Sequence, residues 1–127
     1  VRSRGLGDVY KRQVYALTNI LEPRGVIVDI ARNGEEALEK LEQSISNPDG
    51  RIDLVLMDVM MPIMDGLTAT RHIRKNSAWQ KLPIITLTAK AMPDDQKRCI
   101  EAGANDYMAK PLDVEKLLSL VRVWMPQ

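Results

Sequence analysis

Leu54-Val55-Leu56-Met57-Asp58 is a short, continuous apolar run that stops on an acid, and the turn-forming pairs Met61-Pro62 and Asp65-Gly66 follow it. Such a run fits a strand covered on both faces, as in a parallel sheet with helices on either side. The acid then falls at the strand's carboxyl end, where open α/β sheets bind their ligands. Two further strand patterns end comparably. Ile84-Ile85-Thr86-Leu87-Thr88, entered from Pro83, ends on a hydroxyl, and Tyr107-Met108-Ala109 runs into Lys110. An acid, a hydroxyl and an ammonium at three strand ends point to one site that handles phosphate.

Outward from that run, helical and strand patterns alternate with short punctuated joins, which predicts repeated βα units. Val14, Leu17 and Leu21 form a helical stripe that Pro23-Arg24-Gly25 stops, and Val26 to Ala31 reads as a β-branched strand. Asn33, with Glu36 three residues on, predicts a capped helix whose apolar face is Ala37, Leu38 and Leu41. Asn47-Pro48-Asp49-Gly50 is a turn, and Leu67 to Arg74 reads as a helix. Pro93 suits a first helical turn, and Gly103 is placed to end that helix. Asp113 caps a last helix with Val114, Leu117, Leu118, Val121 and Trp124 along one side.

The 127 residues, 45% of them hydrophobic, suit a single domain. No run approaches the roughly 18 to 20 apolar residues of a membrane span, so a cytoplasmic chain without membrane contact is expected. Cys99 is the only cysteine, which excludes an internal disulfide and thiolate-pair metal sites, and it reads as a small, half-buried helix residue. Net charge is +1, but residues 1–13 carry four cations against Asp8, a net +3, so the remainder is −2. The positive surplus sits in a Gly-containing leader rather than on a patterned face, and no nucleic-acid partner is expected.

The run from Leu54 through Asp58 to Gly66, with Leu87-Thr88-Ala89, Ala102-Gly103-Ala104-Asn105-Asp106-Tyr107 and Lys110-Pro111, resembles the receiver domain of two-component response regulators. The resemblance covers Val14 to the end, and the pieces stand in the family's order and spacing. It implies a flavodoxin-like, doubly wound parallel sheet of five βα units. It also implies that Asp58 is the phosphoacceptor, a carboxylate that needs no general base to attack phosphorus and form an acyl phosphate. Lys110 would neutralise a phosphoryl oxygen, and the Thr88 hydroxyl and the Ala89 amide would bond another. Mg²⁺ would be held by Asp58 and the Met60 carbonyl together with acids from the first strand. Thr88 and Tyr107 would form the switch, Tyr107 entering space that Thr88 leaves. The implied partner is a histidine kinase or a histidine phosphotransfer domain.

The beginning departs from that pattern. Receivers open with a hydrophobic strand ending in two or three acids, whereas this chain has Val1-Arg2-Ser3-Arg4-Gly5-Leu6-Gly7-Asp8-Val9-Tyr10. Counting back from Val14 without a gap puts Asp8 at the first acid and Val9 at the second, the direct metal ligand of the family. Weakened Mg²⁺ binding is therefore expected. Ser3 to Gln13 also reads as an in-frame translation of a transposon sequencing adapter, so residues 1–13 are expected to be a non-native leader before a receiver over 14–127 whose first strand is missing or degenerate. Arg2, Arg4, Gly5 and Gly7 suit no buried central strand. The coding DNA checks this, since a different codon series across Ser3 to Gln13 excludes the adapter.

Two other functions compete. A phosphorylation-independent binding module would use the switch surface alone, and the departure at Val9 favours it. An aspartate-nucleophile phosphatase needs a second acid two residues after the nucleophile, where Met60 stands. No output domain is expected after the last helix, so the parent is read as a single-domain regulator or the carboxyl-terminal receiver of a hybrid kinase.

Overall fold

The computed structural model describes residues 17–26, 28–31, 33–46, 52–59, 64–88, 93–109 and 113–124. They belong to two units, Val1–Arg32 and Asn33–Gln127. In the first unit a helix over 17–21, α1, tightens into a 3₁₀ turn at Glu22–Arg24. Pro23 therefore sits inside the turn, and Gly25, at φ 85°, ends it with its N–H on the Glu22 carbonyl at 3.0 Å. No strand forms over 26 and 28–31, against the expectation for Val26 to Ala31. Branched side chains favour extended backbone, but a strand exists only by pairing. Residues 1–16, and with them the leader and any first strand, lie outside the described residues, as does the Asn47–Gly50 turn.

The second unit is built of βα steps. Helix α2, Gly34–Ile45, starts where expected: the Asn33 side chain accepts the Glu36 N–H at 2.9 Å, and Glu35 and Glu36 place negative charge on the positive end of the helix dipole. Strand β1 is Val55–Asp58, followed by α3 at Gly66–Lys75, a 3₁₀ turn at Ser77–Trp79 and β2 at Ile84–Thr88. Helix α4 spans Pro93–Ala102, β3 Asp106–Ala109 and α5 Val114–Trp124. Gly103, at φ 115°, closes α4: its N–H reaches the Ile100 carbonyl at 3.0 Å, and the Ala104 N–H reaches that of Cys99 at 3.1 Å. The Asp113 carboxylate accepts the Glu115 and Lys116 N–H groups at 3.0 and 3.3 Å, capping α5 as its sequence predicts.

The three strands form one parallel sheet in the order β1-β2-β3. Central β2 is buried at all five positions. Strand β1 is not: only Met57 is buried, and Val55 and Leu56 are half-exposed. The expectation of two covered faces fails because β1 is an edge of the described sheet and β2 takes the protected centre. Leu41, Met57, Ala69, Ile73, Trp79 and Ile84 make one core cluster, between α2, α3 and the sheet. Leu67, Cys99, Ala102 and Ala104 make another, with Val59 and Tyr107 against it. Cys99 is fully rather than half buried. Along α5 the packed stripe begins at Leu117, and Val114, in the first turn, is 43% exposed. Among the described residues, no helix is long and apolar enough to cross a membrane.

Candidate functional site

Asp58 is the last residue of β1 and pairs with Leu87 of β2. The Val59 N–H continues the ladder one step, donating to the Leu87 carbonyl at 3.0 Å. Thr88 ends β2, is buried, and pairs with Ala109, the last residue of β3; its hydroxyl donates to the Met108 carbonyl at 3.4 Å. Adjacent strands run about 4.8 Å apart, so the register brings the ends carrying Asp58 and Thr88 side by side. Tyr107 pairs with Thr86, two residues before Thr88. Because faces alternate with period two, Thr88 and Tyr107 project from the same face, and Tyr107 packs against the cluster of Leu67, Cys99, Ala102 and Ala104.

The structure thus gathers Asp58, Thr88 and Tyr107 on neighbouring strands. Lys110, Ala89, Met60 and Asp8 lie outside the described residues. Asp94 and Asp95 stand in the first turn of α4, where the helix dipole favours acids, and Asp95 faces Arg98 at 3.7 Å. His72 is exposed. Among the described residues, no group of three or more His, Cys, Asp or Glu could hold a metal. Of the expected Mg²⁺ ligands only Asp58 is among the described residues.

The chain leaves Asp58 through a bracket. The Gly66 N–H donates back to the Val59 carbonyl at 3.0 Å, and Gly34 N–H holds the Met64 carbonyl at 3.2 Å. Gly66 is the closest approach: a Cβ there would strike the Asp58 carbonyl oxygen and lie 2.8 Å from its carbonyl carbon. The sequence shows the Asp65-Gly66 pair but not this contact, which arises only when α3 is laid against β1.

Asp65 caps α3, its carboxylate accepting the Thr68 N–H at 2.8 Å. That backbone bond, aided by the Arg71 charge, holds the Asp65 carboxyl below its ordinary value of 3.8 despite partial desolvation. A group with a depressed folded value adds stability that is present above its unfolded value and lost as pH falls through the folded one. Asp65→Asn keeps a cap oxygen without the charge. Denaturant midpoints of the parent should therefore fall more steeply than those of Asp65→Asn between about pH 4 and pH 2. Asp65→Ala should cost about 1 kcal/mol at pH 7. Parallel midpoint curves for parent and Asp65→Asn would remove the charge contribution.

The comparisons with known proteins agree with this geometry. The response regulator receiver domain family model matches residues 11–122. Hybrid signal transduction histidine kinase M of Dictyostelium discoideum is 41% identical over 106 residues, which are 81% of this chain and 4% of the kinase. The signal receiver domain of a histidine kinase from Syntrophus aciditrophicus superposes with a TM-score of 0.78 at 34% identity, covering 89% of this chain and 81% of that one. The receiver domain of a Pseudomonas aeruginosa sensor histidine kinase, solved with a magnesium ion in its active site cleft, has a TM-score of 0.74 at 32% identity, covering 90% and 88%. The chain belongs to the response regulator receiver domain family, the signalling modules of two-component systems, and its parallel α/β architecture is the receiver fold. It spans only a small fraction of the hybrid kinases it matches.

Proposed function

We propose that this chain is a phosphoacceptor: an Asp58 carboxylate oxygen bonds to the phosphorus of a phospho-histidine as the phosphorus–nitrogen bond breaks, leaving an acyl phosphate on Asp58 and a free imidazole on the donor. The observation that carries the reading is the register that sets the end of β1, with Asp58, beside the end of β2, with Thr88. Thr88 supplies a hydroxyl donor for a phosphoryl oxygen, and Lys110, directly after β3 in sequence, supplies the cation, with the Ala89 amide as second donor. Tyr107, on the Thr88 face, is the group that a displaced Thr88 would release. The donor is a histidine kinase or a phosphotransfer domain, consistent with relatives that are hybrid kinases. The chain acts on no substrate other than its own Asp58.

Magnesium binding is weaker than in relatives with two acids, because Val9 stands where the direct ligand is expected. That same residue favours a second reading, a binding module that works without phosphate. Incubation with acetyl phosphate and Mg²⁺ followed by intact-mass measurement separates the two. One phosphoryl increment per chain is the expected result; a folded far-UV spectrum without any increment leaves the binding module.

A further inference from the structure

Arg74, in the last turn of α3, spends its guanidinium on three neutral oxygens. Nε donates to the Gly103 carbonyl at 2.8 Å, Nη1 to the Trp79 carbonyl at 2.7 Å and Nη2 to the Asn105 side-chain oxygen at 2.7 Å. The α4–β3 connection wraps closely around its stem, for a Cβ at Gly103 would lie 2.6 Å from Arg74 Cγ. Asn105 is bonded again at the foot of β2: its side-chain oxygen also accepts the Ile84 N–H at 2.9 Å, and its own N–H donates to the Ile84 carbonyl at 2.8 Å. Asn105 therefore forms the first rung between β2 and β3, and Arg74 grips that rung from α3.

Parallel strands have no tight hairpin to fix their register, and a slip of one residue turns every side chain to the opposite face. Above the Asn105 rung the pairs are Ile85 with Asp106, Thr86 with Tyr107, Leu87 with Met108 and Thr88 with Ala109. A slip of β3 would take Tyr107 off the Thr88 face. We propose that Arg74 is a positioning residue for the strand-end site: through Asn105 and the Gly103 carbonyl it sets the height of β3, and so the pairing of Tyr107 with Thr86 and of Ala109 with Thr88. This rests on the phosphoacceptor reading for its consequence but not for its geometry.

Native-state amide exchange on the full chain tests the geometry without phosphate. In Arg74→Ala and in Asn105→Ala, amides of residues 107–109 should exchange about tenfold faster or more, while those of β1 and α2 keep the parent's rates. The double variant should add little to either single one, because both break the same link. Asn105→Asp, which retains an oxygen for both donors, should keep the parent's protection, and it decides with Asn105→Ala should Arg74→Ala fail to fold. Equal acceleration in β1 and α2, or unchanged exchange at 107–109, overturns the proposal. Where the parent takes up phosphate, Asn105→Ala should lower the uptake rate about tenfold at a temperature that keeps it folded. An unchanged rate beside localised exchange also overturns the positioning role. A parent that takes up no phosphate bears on the phosphoacceptor reading and leaves the exchange result readable.

Discussion

Asp58→Asn is expected to carry no phosphoryl group under conditions that load the parent. The amide is neutral and a poor nucleophile, whereas the carboxylate attacks without a base. The replacement is nearly isosteric at a half-exposed strand end, so the fold should persist and far-UV spectra should coincide. Intact mass of parent and variant after acetyl phosphate and Mg²⁺ is the measurement, and hydroxylamine should remove the parent's increment because an acyl phosphate yields to a nitrogen nucleophile. An equal, hydroxylamine-sensitive increment in Asp58→Asn would show that a different carboxylate accepts the phosphate.

Gly66→Ala should be the most damaging added methyl among the described glycines. The added carbon meets backbone rather than a movable side-chain tip, since the Asp58 carbonyl group and Met57 Cγ, the latter at 3.0 Å, surround it. Relief requires α3 to retreat from β1, which breaks the Gly66-to-Val59 bond and opens the core beneath Met57, a residue only 2% exposed. The expected loss is about 3 kcal/mol or more, a large share of a domain stability of about 5 to 15 kcal/mol. Gly25→Ala is the control: nothing lies within 4 Å of a Cβ there, so only the φ of 85° is penalised, at about 1 to 2 kcal/mol. Denaturant midpoints should rank parent, Gly25→Ala, Gly66→Ala in falling order. A Gly66→Ala loss no larger than that of Gly25→Ala would mean the helix moves away at little cost.

The parts of this fold legible in the sequence are those decided within a few residues. The Asn33 and Asp113 caps and the Gly103 stop each rest on a bond to a residue two to four positions away. The apolar runs at 54–57 and 84–87 likewise announced β1 and β2, and with them the strand ends on which Asp58 and Thr88 stand. Pairing is a different matter. Residues 26–31 have a strand's composition, but whether they join a ladder depends on a neighbour elsewhere in the chain. The half-exposure of Val55 and Leu56 follows from where β1 lies in the described sheet, which no property of those two residues encodes. Arg74 was unreadable for the same reason, since its acceptors at 103 and 105 are 29 and 31 residues away. At the site, the letters Asp65-Gly66 were visible, while the backbone contact that demands glycine was not.

Cys99 gives the molecule a built-in clock. It is the only thiol, 1% exposed, and its cluster is the one against which Tyr107 packs. A small alkylating reagent has one target and can reach it only when the packing around Cys99 opens. The labelling rate is then the opening equilibrium multiplied by the reactivity of a free thiol. Because Tyr107 packs against the same cluster, a change in that packing should alter how often the thiol is bared, and the labelling rate follows it in the unaltered protein without an attached probe.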